Sequence, residues 1–402
     1  MERISWMETK TIEQVELKGK RVLMRVDFNV PLQGGTVRDD TRIRAALPSI
    51  KKVIDAGGKL ILMSHLGRPK GQRKPEFSLK PAAAHLGEIL KMPVALAPDC
   101  IGSETEEMVA AMKPGDVIVL ENVRFHHEET ENDKGFSKQL AAFGDVFIND
   151  AFGSAHRAHA STEGVTHFID ECAAGYLLNT ELQALGNLLG TPGRPFVAIL
   201  GGAKISGKID VIQNLIPKVD TILVGGGMVY TFLKAQGIDV GNSLVEDDRI
   251  EMATEILEAA RSANTTIKLP VDHIIATSLD AAQGDVTTSQ AIPSGSLGVD
   301  LGPETNKDFS DTIHDSKTIL WNGPMGVFEN DAFAKGTLHI ANAVAAATKQ
   351  GAFSVAGGGD SVAALVKARM TSKISHVSTG GGASLEFMAG KQLPGVAALA
   401  RE

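Results

Sequence analysis

The sequence predicts an α/β protein made of two doubly wound, Rossmann-like parallel-sheet domains joined by a helix and a hinge. Three observations carry this expectation. Short apolar runs alternate with longer amphipathic segments, the pattern of parallel strands joined by crossover helices. The pattern occurs twice, on either side of a glycine- and proline-rich break at 190–195. Finally, 402 residues are too many for one compact core and suit two of ordinary size.

In the first half, 21–26, 60–64, 117–120 and 146–149 read as strands, with helices over 42–56, 79–91, 103–112 and 134–143. Ligands of such sheets bind beyond the carboxyl ends of the strands, so the residues found there are informative. The first strand runs into Asp27, Phe28 and Asn29, and the second into His65, Gly67 and Arg68. The third runs into Glu121, Asn122 and Arg124, and the fourth into Asn149, Asp150, Gly153, His156, Arg157 and His159. Arg42 begins a helix beside them. Taken singly, each of these arginines reads first as a surface residue making a weak ion pair. Four arginines and a histidine on one sheet edge repel one another unless an anion sits between them. Planar guanidinium forks suit a carboxylate or phosphate. The pairs His126–His127 and His156–His159 lack acidic or cysteine partners at ligand spacing, so no metal centre is expected from them.

Leu178, Leu182, Leu185 and Leu189 follow helical spacing over 176–189, and GTPGRP at 190–195 then breaks the helix. The expected domains are therefore 1–175, a connecting helix and hinge at 176–195, and 196–390.

The second domain opens on FVAILGGAKISGKIDVI, 196–212: a strand, a glycine turn, and a helix from about Gly207. Turn amides and a helix N-terminus together make an anion site. Lys204 and Lys208, at i and i+4, would add two cations on one side, although two solvated lysines on a glycine turn is the plainer reading. Gly202–Lys208 spells GxxxxGK, but Ile209 stands where a Walker loop needs Ser or Thr. Further strands are expected at 221–224, 318–321, 353–356 and 375–378, with weaker ones at 267–271 and 273–276. Their ends carry glycine: 201–202, 225–227, Gly323 in WNGPMG, 357–359 and 380–382. Such an edge lets a flat ligand and its phosphates lie close to backbone. Asp360 and Ser361 would cap a helix over 362–369, and Asp360 beside a phosphate cradle is also a natural magnesium partner. Glu329 reads either as an acceptor for ribose hydroxyls or as a solvated loop acid.

Hydrophobic content of 43% and charged content of 22% describe a globular chain, and a net charge of −8 argues against nucleic-acid or anionic-membrane partners. Cys100 and Cys172 suit a reducing compartment, MERISWMETK lacks an apolar signal core, and no run reaches membrane-spanning length. A cytoplasmic protein is expected.

Arginines for a small anion on one half, and glycine turns for a nucleotide on the other, imply phosphoryl transfer between ligands held on separate domains that close together. RVDFNVP, SHLGRP, ENVRFH, NDAFGSAHRAH, GGAKISGK, WNGPMGVFE, GGGDS and STGGGAS stand in an order and spacing that resembles the phosphoglycerate kinase family from end to end. The resemblance implies reversible transfer between ATP and the carboxylate of 3-phosphoglycerate, giving 1,3-bisphosphoglycerate and ADP, by a cytoplasmic monomer that uses Mg2+ with its nucleotide. It implies that Asp27 and Asn29 hold the glycerate hydroxyl and carboxylate region, and that His65, Arg68, Arg124 and Arg157 hold its phosphate. Arg42 and Lys204 would flank the phosphoryl in flight, with Gly381 and Gly382 also catalytic. Lys208, Gly298, Asn322, Glu329, Gly358, Gly359, Asp360 and Ser361 would bind nucleotide, with Asp360 toward the metal, and 391–402 would return to the first domain. The family commonly has Thr where this chain has Ser361, which keeps the hydroxyl. Gly207 falls where the family varies.

A carboxylate of pKa ~4 is already ionised and needs no general base. What it needs is charge neutralisation and alignment. An alcohol kinase would want a positioned aspartate, and Asp27 leaves that open. A nicotinamide dehydrogenase expects GxGxxG rather than GG or GGG. A non-catalytic nucleotide-binding regulator needs no second anion site.

Overall fold

A computed structural model describes residues 9–400, so residues 1–8, most of the stretch read for a signal, and the last two residues of the tail lie outside it. The chain divides into two compact units, Met1–Gln183 with Gln392–Glu402, and Ala184–Lys391. The division falls inside the helix Tyr176–Leu189.

The first unit is built on a six-stranded, all-parallel sheet. Its spatial order is Ala95–Leu96, Val117–Val119, Lys59–Met63, Arg21–Arg25, Val146–Asn149, Cys172–Ala174. Val22, Leu23 and Met24 have no exposed surface, as expected of a strand covered on both faces. The two edge strands, of two and three residues, are additions to the four expected, because runs that short leave no pattern. The helix Thr41–Asp55 turns Ile43, Ala46, Ile50 and Val53 onto the sheet at helical spacing, which leaves Arg42 at the strand ends. Near the C-terminus, Gly395 N–H donates to Ala155 O at 2.9 Å, and Asn149 Nδ2 donates to Gly395 O at 3.0 Å.

The second unit's sheet has the order Thr266–Lys268, Thr221–Val224, Phe196–Leu200, Thr318–Asn322, Phe353–Gly357, His376–Val377. Numbered along this unit, that is 3-2-1-4-5-6, the Rossmann order, with its reversal between Phe196–Leu200 and Thr318–Asn322. The weak candidate at 273–276 is a strand of a separate antiparallel sheet, between Asp285–Val286 and Leu297–Leu301.

Two local expectations are corrected. The helix after the Gly201–Gly202 turn begins at Ile209 with Lys208 at its N-cap, so Lys204 and Lys208 do not share a helical face. The helix expected from Val362 runs Gly359–Ala368 and is capped by Gly358 at φ 92°, so Asp360 and Ser361 lie in its first turn rather than capping it.

Candidate active site

In the first unit, the strand ends converge through backbone contacts. Asn29 Oδ1 accepts the Gly67 N–H at 2.9 Å, and Arg124 Nη1 donates to Gly67 O at 3.1 Å. Gly67 sits at φ 62° with the Phe77 ring 2.4 Å from where a Cβ would stand, so only glycine holds this crossing. Arg42 Nη1 donates to Asp27 Oδ2 at 3.0 Å and to Asn29 O at 3.1 Å.

These residues border a cavity of about 710 Å³ whose walls include Asn29, His65, Arg68, Lys70, Arg124, His156, Arg157 and His159, and no acidic residue. Five of the expected anion-site residues thus line one space, while Asp27 and Arg42 pair beside it. Its electrostatics are those of cations crowded together. Burial and then Arg25, Arg124 and Arg42 hold His65 well below the usual imidazole range. Burial and then Arg124, Arg25 and Arg157 push His159 down to about 4. Burial and then Arg25 lower Arg124 to about 10, so it stays charged, and its Nε is buried with no partner. Arg25 escaped the sequence reading because it lies inside the run RVLMR rather than after it. A charge flanked by fully buried positions was the available signal. It has no exposed surface and bonds to Ser161 Oγ at 2.8 Å, to His65 Nδ1 at 3.1 Å and to Val26 O.

In the second unit, the reversal of strand order brings two backbones into contact. Gly201 N–H donates to Asn322 O and Gly202 N–H to Pro324 O, both at 3.0 Å. A Cβ on Gly201 would stand 2.0 Å from Pro324 O, on Gly323 2.2 Å from Gly201 O, and on Gly226 2.6 Å from Gly202 O. These glycines serve backbone packing, which revises the reading of every run as ligand space. Gly359 and Gly381 differ: nothing lies within 4 Å of a Cβ built there. They are the first residues of the helices Gly359–Ala368 and Gly381–Met388, whose leading N–H groups have no intrahelical partner. Gly382 follows in the same turn, exposed.

Ser361 is buried and fully engaged, accepting the Gly323 N–H at 2.6 Å and donating to Gly357 O at 2.8 Å. Asn322 Nδ2 also donates to Gly357 O, at 2.8 Å. Both brace the glycine turns from behind. Lys208 Nζ donates to Asn322 O at 3.4 Å, and burial, partly offset by Asp360, lowers it to about 8. Asp360, Lys204 and Glu329 are exposed. Gly298 lies on the antiparallel sheet, where the Tyr230 hydroxyl fills its Cβ position at 1.9 Å. No described contact joins Gly298, Glu329 or Lys204 to the cluster around Ser361.

Among the described residues, one group has metal-like proximity, Asp99, Cys100 and His126. His126 Nε2 meets Asp99 Oδ1 at 2.8 Å, while Arg73 lies 3.5 Å from the other carboxylate oxygen and supplies the charge a cation would.

A family model described as phosphoglycerate kinase matches residues 12–391. The chain belongs to the phosphoglycerate kinase family. It is 59% identical over 394 residues to a phosphoglycerate kinase of Chloroherpeton thalassium, covering 98% of this chain and 99% of that one. Over 395 residues it is 58% identical to that of Chlorobaculum tepidum, covering 98% and 100%. The solved structure of phosphoglycerate kinase from Coxiella burnetii matches with a TM-score of 0.89 at 42% identity, covering 97% of this chain and 98% of that one. The phosphoglycerate kinase match spans both units, so both clusters of side chains lie inside it.

Proposed function

We propose that the basic cavity of the first unit holds 3-phosphoglycerate and that the glycine-turn edge of the second holds ATP or ADP. The chain is an enzyme, a kinase that transfers phosphate to a carboxylate. It runs the family's glycolytic reaction: ATP and 3-phosphoglycerate interconvert with ADP and 1,3-bisphosphoglycerate. The observation that carries the site reading is a cavity walled by Arg68, Lys70, Arg124 and Arg157 with no acidic residue. Such a wall is unstable by itself and complementary to a phosphate.

Arg42 is aligned by Asp27 and Asn29, so it can hold the acceptor carboxylate and neutralise charge as the phosphoryl passes. Asp27 is already paired with Arg42 and is therefore a poor general base, which favours a carboxylate acceptor over an alcohol. Lys204, exposed on the turn after Gly202, is the mobile cation for the transferring group. The open N-termini at Gly359 and at Gly381–Gly382 offer N–H groups to phosphate oxygens. Lys208 adds a charge behind them, and Gly298 and Glu329 border the nucleoside.

The donor set also fits Mg2+, because an exposed carboxylate, Asp360, stands in the turn that would hold the phosphates. Bound there with nucleotide, the ion would neutralise phosphate charge. A net charge of −8 and no helix among the described residues long and apolar enough to cross a membrane accompany a reading as a cytoplasmic, monomeric enzyme. An ADP-release assay with ATP, Mg2+ and either 3-phosphoglycerate or glycerol tests the acceptor. Saturable turnover with 3-phosphoglycerate alone is expected. Turnover with glycerol alone would overturn the carboxylate reading.

A further inference from the structure

Glu129 is a fully buried carboxylate that the proposed reaction does not use. It belongs to the helix His127–Glu131, behind the stretch of cavity wall that carries His127 and Thr130. Its Oε2 accepts the Ser161 N–H at 2.9 Å, and its Oε1 accepts the Ser161 hydroxyl at 2.7 Å. A hydroxyl whose single hydrogen is given to a carboxylate has only lone pairs left to offer. Ser161 Oγ accordingly accepts Arg25 Nε at 2.8 Å. A guanidinium donates and cannot accept, so where Arg25 Nη2 meets His65 Nδ1 at 3.1 Å, that ring nitrogen must be the acceptor. In a neutral imidazole the proton then sits on Nε2. His65 faces the cavity, and burial beside Arg25 keeps it neutral.

We infer that Glu129, Ser161 and Arg25 form a relay in which Glu129 and Ser161 anchor Arg25, and Arg25 fixes His65 as the Nε2–H tautomer, a permanent donor for the acceptor's phosphate. The inference rests on reading the cavity as the 3-phosphoglycerate site. Arg25 donates at both ends, through Nη2 to His65 and through Nε to Ser161, whose hydroxyl donates on to Glu129 in one aligned run. Aligned bonds of this kind polarise one another. The opposite tautomer would turn the lone pair of Nε2 toward a phosphate oxygen and would leave two donors facing each other at Arg25. An imidazolium would put a second charge beside a buried guanidinium. Glu129 also accepts the Ala160 N–H at 2.9 Å through its backbone, so the same residue holds the end of the loop that carries His156, Arg157 and His159. Glu129 and Ser161 do not line the cavity and are positioning residues.

The test is 15N NMR of the full chain labelled at histidine, with the His65 signal assigned by His65→Asn, together with steady-state kinetics of Ser161→Ala and Glu129→Gln. Wild type at pH 7 is expected to show neutral His65 protonated on Nε2. Ser161→Ala frees the Nε end of Arg25, so the guanidinium should leave His65 Nδ1 part of the time. That should let the Nδ1–H tautomer appear and raise KM for 3-phosphoglycerate about tenfold, the size of one charge-assisted hydrogen bond, with KM for ATP unchanged. The double variant should be no worse than the worse single one, because both cut the same chain. Ser161→Ala removes one hydroxyl and no charge, so it decides the matter if Glu129→Gln does not fold. A wild-type His65 protonated on Nδ1 or doubly protonated would overturn the relay. So would an unchanged tautomer in Ser161→Ala, or an equal rise in both KM values. Failure of wild type to turn over 3-phosphoglycerate would sink the site reading instead, a distinguishable outcome.

Discussion

Ser361→Ala tests how the second unit braces its glycine turns. The side chain is fully buried and serves two backbone groups at once. Its loss strands the Gly323 N–H, now bonded at 2.6 Å, at a cost of about 1–3 kcal/mol for an unsatisfied buried donor. The bond to Gly357 O also goes, but that carbonyl keeps Asn322 Nδ2 at 2.8 Å, so this adds no more than about 1 kcal/mol. A total of about 1–4 kcal/mol in a unit of this size lowers its Tm by roughly 2–16 °C. Gly323 packs on Gly201, so the loosened turn should also raise KM for nucleotide. Differential scanning calorimetry and steady-state kinetics read both effects, and Ser361→Thr, which keeps the hydroxyl, should recover most of the loss. If Ser361→Ala melts with wild type and binds nucleotide equally well, the brace carries no weight.

Lys204→Ala should lower kcat by about 10²–10³ with little change in KM, by analogy with loss of an oxyanion donor; a raised KM at intact kcat would make the lysine a binding residue. Arg68→Ala and Arg157→Ala should weaken 3-phosphoglycerate and spare nucleotide in calorimetric titrations, and equal losses would contradict the division of ligands. Lys208 is lowered by burial to about 8, so it is charged below that pH and loses its proton above it. Nucleotide affinity should therefore fall as pH rises through 8 and flatten in Lys208→Arg; a flat wild-type profile from pH 7 to 9 would remove the lysine from phosphate binding. Asp360→Asn should shift the magnesium requirement upward, and an unchanged magnesium titration would refute its role.

The part of the site that follows from strand ends was legible, because a buried parallel strand announces itself as an apolar run and its next residues must face the ligand edge. Asn29, His65, Arg68, Arg124 and Arg157 were found this way and line one cavity. Arg25, Ser161 and Glu129 were not, since their significance is a set of contacts between residues 136 and 32 positions apart that no local pattern encodes. The glycine runs were legible as turns but not by purpose. Whether a missing Cβ faces solvent, as at Gly359 and Gly381, or another backbone, as at Gly201 and Gly323, depends on which strands become neighbours. Lys208 looked helical because the run from about Gly207 has helix-compatible composition, yet the turn consumes residues up to Lys208 before Ile209 opens the helix.

Transfer of a phosphoryl group to a carboxylate is tested most directly by the chemistry of the product. With ATP, Mg2+ and 3-phosphoglycerate, 31P NMR should show a second phosphorus on the glycerate as an acyl phosphate, and added hydroxylamine should convert it to a hydroxamate with release of phosphate. A product that withstands hydroxylamine carries its new phosphate on the hydroxyl and contradicts the account.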